Sequence, residues 1–292
     1  MFKTIVLATD LSPAWNEIVA CTGEFKALGC SRVILTNVIV ARIILGIEER
    51  LRVDVRPKLE AQQRQLEAQG FQVEVEIPVG MPAASLHDVA ARHGADLVVV
   101  GSHGTALWRE EVLGCFTSAV VHHIKYPTLL INVRVKKEQE GGVCRLHCDS
   151  LLRHILFPTD FSEIGVRAGE FVERLATRAK GEVTLLTTLD VPEGGDVYPP
   201  GYQEIAEGAA RDLLKQCHQR LLKAGVPIVH DRYDPGHPIP AILNILKSNN
   251  ISLIVMGTQG KGFIQEIFLG SVAHNVSRLA TCPVLLIPLA QR

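Results

Sequence analysis

No run in the 292-residue sequence approaches the ~20 consecutive apolar residues of a membrane-spanning helix. The longest greasy stretch, NVIVARIILGI at 37–47, is too short and is broken by Arg42. A surplus charge of one sign is also missing. Thirty basic residues stand against 31 acidic ones, for a formal net charge of −1, which excludes a dominant electrostatic attraction to DNA or RNA. The seven cysteines are odd in number and irregularly spaced, unlike a disulfide framework. The opening MFKTIVLATD turns polar too early for a secretory signal. The Walker pattern Gly-x4-Gly-Lys-Ser/Thr does not occur. Together these absences point to a cytoplasmic protein with reduced thiols, no membrane span and no nucleic-acid partner.

What is present is an ordinary globular composition, 47% apolar and 21% charged, on a chain long enough for two domains of about 100–150 residues. Internal repetition decides the architecture. TIVLATDLS (4–12) returns as HILFPTDFS (154–162), setting Asp10 opposite Asp160. GMPAASLHDVA (80–90) matches GHPIPAILNIL (236–246), and GADLVVVGSHG (94–104) matches NNISLIVMGTQG (249–260). YPTLLINV (126–133) matches CPVLLIPL (282–289). The chain is therefore read as a first domain over 1–135, a polar linker over 136–152 and a second domain over 153–292.

Each half alternates strand and helix. Strands are predicted near 3–8, 32–39, 71–77, 96–100 and 127–133, then near 154–158, 182–189, 227–232, 251–256 and 283–288. Helices of the second half are predicted near 163–179, 202–224, 238–249 and 271–280. Runs such as LVVV and LIVM are apolar throughout, the mark of parallel strands covered on both faces. The fold class is α/β: two tandem, open, five-stranded parallel-sheet sandwiches of Rossmann-like type.

Ligands of such sheets bind beyond the carboxyl ends of the strands, where strand order reverses. There lies GTQGKGFIQEIFLGS (257–271), directly after an apolar strand and before a helix. Gly257 and Gly260 permit positive φ and allow close approach of backbone N–H groups to a ligand. Gly270 and Ser271 open a helix whose unpaired N–H groups and dipole favour an anion. Asp160 accepts hydrogen bonds from ribose hydroxyls or holds a phosphate-bound Mg²⁺.

The spacing Gly-x2-Gly-x9-Gly-Ser after a strand, with the aspartate of PTDFS after the first strand, resembles the ATP-binding universal stress proteins. The resemblance covers nearly the whole chain as two copies and implies an adenine-nucleotide alpha-hydrolase-like fold. It implies that Pro158 and Thr188 border the adenine, with the Thr188 backbone as a contact, and that Thr159 belongs to the cofactor-binding set. Asp160 would hold ribose and metal. Met256, Gly257, Thr258, Gln259 and Gly260 would wrap ribose and phosphates, and Gly270, Ser271 and Val272 would complete the phosphate cradle. Gln259 departs from the basic residue or histidine often found there. Lys261 is read either as a phosphate contact or as a solvated loop residue.

In the first half, Gly101, Gly104 and Gly114 keep the spacing, but Cys115 replaces the serine, Phe116 the small apolar residue and Ala8 the proline. That copy is read as degenerate. The implied function is a cytoplasmic stress-response protein that binds ATP or AMP, with or without Mg²⁺, and so regulates contacts with a protein partner; a homodimer is compatible with this. No catalytic residue is assigned. One alternative is slow ATP hydrolysis, for which no base or arginine finger is evident, and neither His-x-Gly-His nor Ser-Gly-Gly-x-Asp-Ser occurs. Another is a nucleotide-free scaffold recognising a partner or apolar ligand through 38–55, a segment read first as an extra helix packed on its own domain. Cys144, His147 and Cys148, with His154 nearby, are read as linker residues rather than a zinc site, and His103, His122 and His123 as loop and helix histidines.

Overall fold

The computed structural model describes residues 1–12, 15–40, 48–101, 114–131, 150–189, 201–260 and 269–289. Two compact units divide the chain, Met1–Asp149 with Gln291–Arg292, and Ser150–Ala290.

The first unit contains β1 (Thr4–Ala8), α1 (Trp15–Ala20), α2 (Thr22–Leu28), β2 (Arg32–Thr36), α3 (Glu48–Ala68), β3 (Gln72–Glu76), α4 (Pro82–His93), β4 (Leu97–Gly101), α5 (Cys115–His122) and β5 (Thr128–Ile131). Its strands lie in the order β3-β2-β1-β4-β5, with every pair parallel. The second unit contains β6 (His154–Pro158), α6 (Glu163–Ala179), β7 (Glu182–Leu189), α7 (Tyr202–Lys223), β8 (Ile228–Pro235), α8 (Pro238–Ser248), β9 (Leu253–Gly257), α9 (Ser271–Leu279) and β10 (Val284–Ile287). Its order, β8-β7-β6-β9-β10, repeats the first, again all parallel. In each unit the chain runs outward from the central strand to an edge and then returns to that strand's other side. The order therefore reverses between β1 and β4, and between β6 and β9.

The apolar runs behave as parallel strands must. Val98, Val99 and Val100 of β4 and Leu253, Ile254 and Val255 of β9 are all buried. Each such side chain contributes roughly 1.5–3 kcal/mol by leaving water, so central strands carry no alternating polar face. The edge strands differ. β8, IVHDRYDP, is mostly exposed, and its charges discourage pairing with another chain. Helix starts follow local chemistry. Ser162 caps α6 by accepting from Gly165 N at 3.2 Å, and Pro82 and Pro238 open α4 and α8 at the position where a missing N–H is harmless. The glycine two residues earlier has positive φ in both copies, +152° at Gly80 and +130° at Gly236.

One expectation changes. Cys30, Cys217 and Cys282 are in no disulfide, whereas Cys21 is disulfide-bonded; an odd count excludes a complete framework but not a single bridge. In the 38–55 segment, residues 41–47 lie outside the described residues, and from Glu48 onward the chain is α3, which leaves Leu51 and Val53 exposed and buries Leu59 and Leu66. Cys144, His147, Cys148, His103, Gly104 and Lys261 also lie outside the described residues. His154 is engaged with Thr184 Oγ1 at 2.8 Å, and His122 and His123 are exposed on α5 and just after it. Among the described residues, no helix is long and apolar enough to cross a membrane.

Burial has an electrostatic consequence at His87, on α4 against Tyr126 with ring centroids 5.9 Å apart. Desolvation, reinforced by the nearby charge of Lys125 and only partly offset by Asp88, pushes its pKa down to about 4. The folded unit holds this ring neutral while the unfolded chain protonates near 6.5. Stability is thus complete above pH 6.5 and falls as pH drops toward 4, by on the order of 2 kcal/mol once partial solvent access is allowed for. Replacing His87 by Phe is expected to flatten the fall of the urea midpoint between pH 7 and pH 4; an unchanged slope in the folded variant would contradict this origin.

Candidate functional site

The four-residue turns after β1 and β6 are built alike. Thr159 Oγ1 accepts from Phe161 N at 3.1 Å, and Asp160 Oδ1 accepts from Ser162 N at 3.0 Å. Thr9 and Asp10 make the same two bonds to Leu11 and Ser12, at 3.1 and 3.0 Å. Such side-chain bonds let a non-glycine residue take the left-handed conformation, and Leu11 and Phe161 do so at φ 60° and 58°. The turn sends the carboxylate over the end of its own strand.

In the second unit that carboxylate borders a crevice of about 400 Å³ at the reversal between β6 and β9, within the roughly 300–1,000 Å³ of small-molecule sites. All twelve residues singled out in the sequence line it: Pro158, Thr159, Asp160, Thr188, Met256, Gly257, Thr258, Gln259, Gly260, Gly270, Ser271 and Val272. Five more complete the wall, namely Gly165, Leu186, Pro238, Ile242 and Ala273. Element periodicity could have found most of these. Leu186 is two residues from Thr188 on one strand face, and Ile242 is one turn beyond Pro238 on one helix face.

Of the two uses expected of the glycines, close approach is present and positive φ is not. None of Gly257, Gly260 and Gly270 has φ in the left-handed region; space is what they provide. A Cβ on Gly260 would lie 2.5 Å from Asp160 Oδ2, and one on Gly257 would lie 2.7 Å from Ile164 Cγ2. A Cβ on Gly165 would meet Thr159 Oγ1 at 2.9 Å and Asp160 Oδ1 at 3.1 Å. At Gly270 the neighbours stand farther off, the nearest being Thr258 O at 3.3 Å. The Gly260 and Gly165 backbones thus flank Asp160 without side chains.

Two polar features face the space between. Gly270, at φ −68° and ψ 153°, is the N-cap of α9 and has no side chain with which to cap it. The first turn of α9 therefore opens into the crevice through Ser271, Val272 and Ala273 with no cap from its N-cap residue's side chain. The second feature is on β7. Glu182 N donates to Arg153 O at 2.8 Å and Leu186 O accepts from Thr159 N at 2.9 Å, both toward β6, whereas Leu189 O accepts from Gly236 N at 2.9 Å, toward β8. Backbone polar groups alternate sides along a strand, so those of Thr188 face the β6 side. Because β6 ends at Pro158, paired with Leu186, the N–H and C=O of Thr188 look into the crevice beyond it.

The first unit diverges at the corresponding places. Val38 stands in register with Thr188 and is buried. Asn37 Nδ2 donates to Thr9 O at 2.7 Å. Phe116 stands at the place of Val272, half-buried. Thr117, in the place of Ala273, is buried and donates from Oγ1 to Gly101 O at 2.6 Å. Gly114 still begins α5, with Cys115 as its first residue.

For a metal, Asp160 offers a carboxylate at the crevice, and among the described residues no group of three or more His, Cys, Asp or Glu could hold an ion. One hard oxygen donor beside a phosphate-sized space fits Mg²⁺, which keeps several waters and takes one or two carboxylates plus phosphate oxygens.

The model of the universal stress protein family matches residues 1–132 and 152–288. Over 150 residues, 47% of this chain, the sequence is 31% identical to universal stress protein YxiE of Bacillus subtilis, covering 99% of that protein. It is 25% identical over 214 residues to universal stress protein Rv2623 of Mycobacterium tuberculosis, covering 70% of this chain and 66% of that one. A solved universal stress protein from Archaeoglobus fulgidus superposes with a TM-score of 0.75 at 22% identity, covering 98% of each chain.

Steric reasoning orders the glycines. Gly260→Ala must displace the Asp160 carboxylate, whereas Gly270→Ala needs shifts of only a few tenths of an ångström. Melting of the two variants should show the larger loss at Gly260, about 1–3 kcal/mol against under 1; equal losses would mean that the contact with Asp160 does not constrain the loop.

Proposed function

The chain belongs to the universal stress protein family, and from that premise we propose that its second unit binds an adenine nucleotide, ATP or AMP, as a regulatory module whose occupancy changes contacts with a protein partner. The observation that carries this reading is the uncapped first turn of α9 opening onto the same crevice as Asp160 and the Thr188 backbone. An uncapped helix start attracts an anion through its N–H groups and dipole, and the Ser271 hydroxyl adds a donor. Asp160, acceptor-only when ionised, suits ribose hydroxyls or a Mg²⁺ bridging to phosphate. The donor and acceptor of Thr188 match the acceptor and donor on the adenine edge, at N1 and N6, in that order. Each group of a nucleotide thus has a chemical counterpart, set out from β7 past β6 to β9.

A further argument concerns the first unit. Phe116 and Thr117 stand where the second unit has Val272 and Ala273, buried Val38 stands where it has Thr188, and Asn37 and Thr117 hydrogen-bond to the first unit's own carbonyls. The second unit is therefore assigned the nucleotide and the first is assigned none.

Titration with adenosine, AMP and ATP, with and without Mg²⁺, tests the reading. Ser271→Ala removes one hydrogen bond to a charged group, worth roughly 1.5–3 kcal/mol. The affinity for AMP and ATP should fall at least about tenfold while that for adenosine holds. Equal AMP affinity in wild type and variant would remove Ser271 from the site, and no binding of any of the three would reject the reading.

A further inference from the structure

Three wall residues are apolar and lie away from the phosphate-facing loop: Leu186, Pro238 and Ile242. Leu186 and Thr188, two apart on β7, present their side chains to one face of the sheet. Pro238 and Ile242, four apart, share one stripe of α8, and α8 packs against β7. These residues therefore gather at the β7 end of the crevice, with β6 between them and the glycine loop that follows β9. Pro238 is half-buried, but Leu186 and Ile242 are 1% and 0% exposed. Residues that border a cavity yet admit no water behind them mark where it stops.

Resting on the nucleotide reading above, we propose that Ile242 is a specificity-determining residue: it closes the base end of the crevice and limits the ligand to a purine with no bulky group on its outer edge. The helix that carries it is fixed at both ends of the argument. Pro238 locks the first turn, the His237 ring accepts from Ile239 N at 3.3 Å, and α9 packs along its flank. The closed end is thus rigid rather than adaptable. Removing carbon atoms at Ile242 opens space continuous with the crevice, because its side chain already borders it.

The test compares AMP with AMP analogues carrying a benzyl group at N6 or a methylthio group at C2, by equilibrium titration of the full chain. Wild type is expected to bind AMP and to reject both analogues. Ile242→Ala should improve the affinity for at least one analogue, relative to AMP, by about tenfold, the scale on which apolar pockets discriminate single groups. Ser271→Ala should weaken AMP and analogues together and leave the ratio unchanged. If Ile242→Ala fails to fold, Ile242→Val with N6-methyl-AMP and 2-methyl-AMP takes its place, with a smaller gain of the same sign expected. A folded Ile242 variant that binds AMP with wild-type ratios for every analogue overturns the role of Ile242 while leaving the nucleotide site standing. A wild-type protein that binds no AMP instead overturns the reading on which the proposal rests.

Discussion

The geometry of the crevice depends on how closely backbone can approach the Asp160 carboxylate. Gly260 and Gly165 come near enough that a single added carbon would stand 2.5 Å from Oδ2 in one case and 3.1 Å from Oδ1 in the other. This approach holds the end of β9, the start of α6 and the turn after β6 around one side chain. The parallel sheet makes it available, since β6 and β9 are parallel neighbours that finish at the same edge and the strand order reverses between them. The anion-directed helix start, the exposed Thr188 backbone and the carboxylate then face one space as a consequence of topology. No side chain needs to reach across the sheet.

Duplication gives an internal control. Both copies keep the strand order, the Asp turn with its left-handed second residue, and the Gly-x-Pro helix start. Those features serve the fold. The copies part at Thr188 against Val38, at Val272 against Phe116 and at Ala273 against Thr117, all of which line or correspond to the crevice wall. Every member of the shared set pairs with backbone or begins an element, and Asp160 also borders the crevice. The divergent set changes only the contents of the crevice: in the first unit Thr117 and Asn37 hydrogen-bond to that unit's own carbonyls.

Much of this was legible in the residues. The repeat located both units, all-apolar runs identified the central strands, and helices began within a residue of the positions predicted for the second half. The glycine motif and PTDFS led to twelve residues that line one crevice. Other features were hidden for physical reasons. Leu186 and Ile242 share faces with Thr188 and Pro238 on their own elements, but the packing of α8 on β7 that brings both elements to one cavity is not legible from either element alone. The glycines read as serving both positive φ and close approach, and only backbone angles show that close approach alone is used. β8 is too polar for a covered strand, and its place at the sheet edge explains that composition.

The most direct measurement is the number of nucleotides bound per chain. Protein purified and stripped by denaturation, refolded and titrated with ATP and Mg²⁺, with released nucleotide identified by chromatography, should take up one equivalent of adenine nucleotide, carried by the second unit. Two equivalents would mean that Val38, Phe116 and Thr117 do not close the first crevice. None at millimolar ATP would mean that the glycine loop, the uncapped helix and Asp160 are architecture alone.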